Sequence, residues 1–245
     1  MGTALQWVRS LLFIIQMYLA MAVYGIAYLP LAILKKDGAL RACKAYTRWV
    51  RWTARWMVGI DTEVRGAVPT DEVVVAAKHQ SFLDIILIFG ALPRPRFIMK
   101  KELVYAPFLG WYALRVGCVP VDRGKRGQAI AQMMEKVKAG QEEPGQLVIY
   151  PQGTRVAPGA TKPYKIGTAL IYDQLGTGCV PAATNVGVFW PRRGIYRHPG
   201  LAVVEFLPRI EAGLSNGAFM SRLEDEVETA SNRLMADAGL KRIDS

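Results

Sequence analysis

A mixed α/β sheet covered by helices, carried behind an N-terminal helical membrane anchor, is the fold class this sequence predicts. Three observations predict it. Short apolar or β-branched runs at 73–77, 96–99, 118–121, 147–150, 179–183 and 201–206 read as buried strands. Helix-like stretches intervene, at 107–116, 128–139 and 163–175 among others, and a sheet with helices packed on its faces accommodates that rhythm. Ahead of them all, residues 11–34 hold no charged side chain, and a straight helix over them would be about 36 Å long against a hydrocarbon core of about 30 Å.

Taken in order, the apolar run comes first. Gly25 and Pro30 can break it into two shorter helices that enter and leave a membrane by the same face, so a spanning and a re-entrant anchor both fit. Ala20-Met21-Ala22 mimics a signal-peptidase site, but the stretch before it carries only Arg9 and the apolar run continues well past it. A cleaved signal peptide is therefore rejected. Lys35, Lys36, Arg41, Lys44, Arg48, Arg51 and Arg55 follow, opposed only by Asp37, and by the positive-inside rule this flank faces the cytoplasmic side of an inner or plasma membrane. From Arg41 onward these residues recur at steps of three and four, with Trp49, Trp52 and Trp56 on an adjoining face. Such a helix suits the headgroup layer of an anionic bilayer, although a core-packed helix with a solvated basic face has the same spacing. The chain then divides into residues 1–60, anchor and interfacial helix, and residues 61–245, the α/β domain. At its end, residues 215–238 place Met220, Leu223, Val227 and Leu234 on a stripe that reads as core packing.

Charge and cysteine usage exclude other classes. The formal net charge of +11 raises nucleic acid as a partner, but the basic residues cluster beside the apolar run and no zinc-finger or RNP-type motif is present, so lipid headgroups and phosphorylated substrates are the expected anionic partners. Cys43, Cys118 and Cys179 are odd in number and lack metal-ligand spacing, as reduced thiols without a disulfide framework would.

The chemistry concentrates in Lys78-His79-Gln80-Ser81-Phe82-Leu83-Asp84, directly after the strand at 73–77. Ser81 is placed to cap a following helix, and Ser81-x-x-Asp84 has the form of a capping box. Under that reading Asp84 only stabilises a helix start. The same geometry lets Asp84 face His79, fix its tautomer and leave the other ring nitrogen free as a general base. The positive end of the helix opposes an imidazolium and favours the neutral form a base requires. The chain's other histidine, His198, lies in Arg197-His198-Pro199-Gly200, which reads as an exposed turn.

This segment resembles the His-x-x-x-x-Asp motif of the glycerolipid acyltransferases, the 1-acylglycerol-3-phosphate acyltransferases among them. The remaining blocks follow in the family's order over residues 70–190. Cys118 to Arg123 is similar to the block whose arginine contacts the acceptor phosphate, a role that passes to Arg123 and suits a guanidinium fork. Pro151-Gln152-Gly153-Thr154-Arg155 resembles the Pro-Glu-Gly-Thr-Arg block, with Gly153 allowing close backbone approach, Thr154 a hydroxyl and Arg155 a second fork. Lys165, in Pro163-Tyr164-Lys165-Ile166-Gly167-Thr168, is a further candidate for anion contact or a surface lysine at a helix start. Pro181 reads as scaffold. Two departures stand out: Gln152 replaces the usual glutamate, so an essential carboxylate is not expected at that position, and Lys78 stands where many members have asparagine.

The resemblance implies that His79, oriented by Asp84, deprotonates the free hydroxyl of lysophosphatidic acid as it attacks an acyl thioester carried by CoA or acyl-carrier protein. Neither a cofactor nor a metal is expected, because a thioester is already activated. Backbone amides near Ser81 are the candidate oxyanion donors. Other readings are acylation of another lysolipid, a covalent acyl-Ser81 route, and a non-enzymatic module that binds anionic lipid. A hydrolase lacks its Gly-x-Ser-x-Gly nucleophile turn here.

Overall fold

The computed structural model describes residues 3–121 and 144–240, together with 128, 131 and 135. Among the described residues, β1 (Ile60–Arg65), β2 (Val73–Ala77), β3 (Pro95–Lys100), β4 (Val119–Val121), β5 (Gln146–Ile149), β6 (Cys179–Thr184) and β7 (Gly200–Phe206) form one sheet in the order β1-β7-β6-β2-β5-β3-β4. Neighbours run parallel except β6 and β7, which are antiparallel. The sheet is mixed, as the apolar runs predict. The strand they do not reveal is β1, whose sequence Ile-Asp-Thr-Glu-Val-Arg lies at the sheet edge with only Ile60 fully buried. Charged side chains protect an edge against further pairing, and they also hide the apolar pattern.

Central β2 has five buried residues and pairs with β5 on one side and β6 on the other. Its side chains alternate between two layers, as the pleat requires. Val73, Val75 and Ala77 join a cluster with Phe13 of α1 (Thr3–Ala27), Val50 of α3 (Gly38–Thr53) and Leu83 and Leu87 of α4 (Phe82–Ala91). Val74 and Ala76 face the opposite cluster, with Tyr172 of α6 (Gly167–Leu175) and Phe219, Leu223 and Val227 of α8 (Asn216–Asp237). Ser215 caps α8 by accepting the Ala218 amide at 3.3 Å. Between these lie α5 (Leu109–Arg115) and the short α7 (Val186–Phe189). The helix predicted over 163–175 begins only at Gly167, because the Lys165 amide is held by the Pro151 carbonyl at 3.0 Å. The helix predicted over 128–139 lies largely outside the described residues.

The N-terminal apolar run does not form one straight helix. α1 ends at Ala27, the chain turns at Tyr28, and α2 (Leu29–Leu34) starts with Pro30 in its first turn, where a missing N–H costs nothing. Gly25 does not break α1. A Cβ there would lie 2.5 Å from the Phe108 ring, so glycine lets α1 cross that side chain, and Tyr112 Oη donates to the Gly25 carbonyl at 2.8 Å. α1 lies lengthwise on the domain. Gln6 Nε2 donates to the carbonyls of Val58 and Arg197 at 3.0 and 2.9 Å, and Ser10 Oγ accepts the Arg197 amide at 2.9 Å. Phe13 and Met17 are buried beneath the helix, whereas Leu5, Leu12, Ile15, Leu19, Val23 and Ile26 form an exposed apolar stripe.

The basic helix also differs from a uniformly solvated stripe. Lys44 Nζ is turned inward to the carbonyls of Gly90 and Leu92 at the end of α4, and Arg51 Nε donates to Thr62 Oγ1 at 2.9 Å. Arg41 pairs with Asp37 and Arg55 with Asp61. Trp52 and Trp56 are exposed, their rings 5.8 Å apart, near Tyr24 of α1 and Trp49 of α3, whose rings lie 6.2 Å from each other.

Candidate active site

The pleat that divides β2 continues past its end. His79 turns toward the layer of α1, α3 and α4, while Lys78 and Gln80 turn toward α8. Ser81 then caps α4, its hydroxyl accepting the Leu83 amide at 3.2 Å. Asp84 is fully buried and divides its two oxygens between two tasks. Oδ2 accepts the amides of Gln80 and Ser81, each at 2.8 Å, closing the capping box. Oδ1 lies 2.9 Å from His79 Nδ1. The cap and the histidine partner are thus the same carboxylate, and the geometry that each reading of Asp84 requires is present. With Nδ1–H directed at Asp84, Nε2 is left with its lone pair.

This arrangement bears on two sequence-based expectations. Ser81 is fully buried with its hydroxyl engaged in the cap, so it is not presented as a nucleophile. The amides of Gln80, Ser81 and Leu83 all have acceptors within the turn, so these three do not serve as the oxyanion donors expected near Ser81. The reason is general: a helix start satisfied by its own capping box has fewer free amides to offer.

β5 is the neighbour of β2, so the turn after it lands beside His79. Gly153 has φ of +69° and its amide donates to the Tyr150 carbonyl at 2.9 Å. A Cβ at Gly153 would sit 2.8 Å from Lys165 Nζ; glycine is what allows that ammonium to fold over the turn. His79, Gly153, Thr154, Arg155 and Lys165 all line one cavity of about 570 Å³. Arg123 lies outside the described residues. Away from these groups the cavity becomes apolar, running between Phe82, Phe89, Phe97 and Val116 to Met21 of α1. Cys43 and Cys118 also line it, and burial pushes their thiols up to about 12 and about 11, so both remain protonated and poorly nucleophilic.

The two departures from the motif both face away from this cavity. Lys78 is 2% exposed and forms an ion pair with Glu228 of α8, and Tyr164 Oη donates to the other Glu228 oxygen at 2.9 Å. Gln152 is buried, its Nε2 3.5 Å from that same Glu228 oxygen. A glutamate at position 152 would place a second carboxylate against Glu228, which gives a physical reason for the amide. Among the described residues, no three His, Cys, Asp or Glu side chains gather where a metal ion could be held.

The family profile described as Acyltransferase matches residues 61–185, from β1 to the end of β6. The chain belongs to the acyltransferase family. This acyltransferase is 26% identical over 239 residues to a 1-acyl-sn-glycerol-3-phosphate acyltransferase of Pseudomonas aeruginosa, covering 96% of this chain and 93% of that one. It is 30% identical over 163 residues to the mouse 1-acyl-sn-glycerol-3-phosphate acyltransferase alpha, covering 64% of this chain and 57% of the mouse protein. The crystal structure of the 1-acyl-sn-glycerophosphate acyltransferase of Thermotoga maritima has the same fold, with a TM-score of 0.79 at 23% identity over 94% of this chain and 98% of that one.

Two cavity residues of the acyltransferase carry no motif and escape sequence reading. Arg192 Nη1 donates to the Arg155 carbonyl at 3.1 Å and lines the cavity beside it. Lys100 lines it from the end of β3. Nothing local marks either one, since one is a basic residue at a strand end and the other a basic residue in a loop, in a chain with 31 of them. Tyr150 is visible in sequence only as a strand end; in the structure it touches both His79 and Asp84.

Proposed function

We propose that this acyltransferase moves a fatty acyl group from an acyl thioester to the sn-2 hydroxyl of lysophosphatidic acid, giving phosphatidic acid for phospholipid synthesis. The observation that carries the reading is His79, backed by Asp84, in a cavity that is cationic at one end and apolar along the rest. A substrate with a phosphate and a long hydrocarbon chain has the same division. The names of the curated relatives point to this acceptor.

In this reading His79 Nε2 takes the hydroxyl proton as the oxygen attacks the thioester carbonyl. The tetrahedral intermediate collapses with cleavage of the C–S bond, and the imidazolium returns its proton to the departing thiolate. Asp84 stabilises the imidazolium between those two transfers. Arg155 and Lys165, with Arg123, hold the acceptor phosphate, Gly153 and Thr154 shape the turn around it, and fixed alignment supplies much of the acceleration. The donor is acyl-CoA or acyl-carrier protein; the reaction needs no cofactor beyond it. Protonated thiols and a buried Ser81 favour direct transfer over a covalent route.

Membrane association fits the outward stripe of α1, which together with Ile33, Leu34, Trp52 and Trp56 offers one apolar surface rather than a helix surrounded by lipid. With α1 fastened along its length, immersion of that face from the cytoplasmic side is the arrangement proposed, with Lys35, Lys36 and Arg48 near anionic headgroups.

The deciding experiment follows label from acyl-CoA, and separately from acyl-carrier protein, into lysophosphatidic acid with the parent protein and a folded His79→Ala variant. Parent activity reduced by about 10²-fold or more in the variant is expected. Undiminished turnover by folded His79→Ala overturns the base assignment, and transfer to other lysolipids but not to lysophosphatidic acid overturns the acceptor.

A further inference from the structure

The oxygen of Asp84 that faces His79 has a second donor. Tyr150 Oη lies 3.0 Å from Asp84 Oδ1, the same atom that His79 Nδ1 meets at 2.9 Å. The Tyr150 ring also stacks on the His79 ring, with centroids 3.9 Å apart and planes inclined by 16°. Counting the two amides on Oδ2, this one buried carboxylate accepts four hydrogen bonds. The capping box and the histidine account for three of them. The phenol is not required by either.

We infer that Tyr150 is a positioning residue that sets the proton affinity of the catalytic base through Asp84, an inference that rests on the reading of His79 as that base. Each donor on Oδ1 draws charge from the carboxylate and weakens its hold on an imidazolium. Tyr150 therefore makes protonated His79 less favourable, keeping the base in its neutral form to lower pH, while the stacked ring fixes the imidazole plane. Desolvation, and next the neighbouring Asp84 charge, push the phenol well above the ordinary tyrosine value, so it stays protonated and can only donate. From β5 and its turn, Tyr150 and Arg155 face the histidine region; from α4, Asp84; from the other walls of the cavity, Lys100, Lys165 and Arg192. The four cations oppose an imidazolium in the same sense as the phenol does, and Asp84 opposes them.

Tyr150→Phe removes the donor and keeps the stacked ring, so it separates the two roles. The acid limb of the kcat/KM–pH profile is expected to move to higher pH by about half a unit to one unit, the value of one hydrogen bond of about 1 kcal/mol. Maximal kcat should change by less than about threefold. Tyr150→Leu, which loses donor and stack together, should also lose kcat. A second readout needs no substrate: the chain has two histidines, so imidazole NMR of the whole protein in detergent follows both, with His198 as the internal reference. The His79 signal in Tyr150→Phe should titrate at higher pH than in the parent, and that of His198 should not move. Because the NMR titration is independent of the acceptor, an error in the lysophosphatidic acid reading leaves it intact. Identical His79 titration in a Tyr150→Phe protein that melts like the parent, or a shift to lower pH, overturns the inference and reduces Tyr150 to scaffold.

Discussion

The two sides of the segment 78–80 are built from adjacent polar residues and have opposite fates. Toward α8, Lys78 and Gln80 are fully enclosed, and each finds its partners within the chain: Lys78 pairs with Glu228, and Gln80 holds the Gly187 amide at 3.0 Å and reaches Met235. Toward the cavity, His79 is anchored through one nitrogen and keeps the other free. Polar residues buried with partners inside the chain suit the fold; the one left with an unused lone pair in a cavity is the proposed base. Sequence spacing alone does not separate these neighbours. The pleat does.

The strongest way to break this contrast is Asp84→Asn. Because Asp84 caps α4 and also holds the proposed base, turnover should fall by about 10²- to 10⁴-fold while stability falls by about 1 kcal/mol, measured by acyl transfer and thermal melting on the same preparation. A variant that loses stability but retains turnover would make Asp84 a cap alone. On the other side, Lys78→Met should do the reverse. Leaving Glu228 without its cation should cost about 3 kcal/mol in denaturant unfolding, at the lower end for a broken buried pair because Glu228 keeps some contact with solvent. Turnover per folded molecule should stay near the parent's, and adding Glu228→Gln should recover part of the loss. A large fall in turnover with stability unchanged would mean that the α8 side also serves the chemistry.

Smaller effects sharpen the picture of the cavity. Arg155→Ala should reduce kcat/KM for lysophosphatidic acid by about 10- to 100-fold, corresponding to the loss of a charged hydrogen bond. Acylation of a phosphate-free acceptor should be much less affected, and equal losses for both acceptors would refute the clamp. The smallest effect is alkaline. Cys118 packs on the cavity side of the sheet and Cys179 on the α8 side, with thiols pushed from 9.0 up to about 11 and about 12 by burial. A folded-state value raised in this way contributes stability that is complete below pH 9 and is lost as pH rises through about 11 to 12. Melting temperature should therefore fall more steeply above pH 9 in the parent than in Cys179→Ala, which is compared with the parent by its slope and not by its absolute stability.

Much of the fold was legible. The runs that became β2, β5 and β6 are apolar because those strands are covered on both faces, and Ser81 and Asp84 announced the start of α4. β1 was hidden because an edge strand carries charges, and the N-terminal run was ambiguous because hydropathy does not say which face of a helix meets protein. In the site, His79 and Asp84 were legible from their place between a strand and a helix start, and the Gly153–Arg155 turn from its resemblance to a block of the family. Arg192, Lys100 and the double contact of Tyr150 were not, because their neighbours come from remote stretches of chain.

By itself the sequence determined the local chemistry: which residues could cap, accept, donate or remain apolar, and the period at which they recur. Only the tertiary structure decided which of those groups meet. Placing β5 beside β2 brings the turn at Gly153 to His79, and packing α1 and α3 over α4 closes an apolar cavity behind it. Strand order and helix packing depend on contacts between residues far apart in the chain, and such contacts leave no period in the sequence to read.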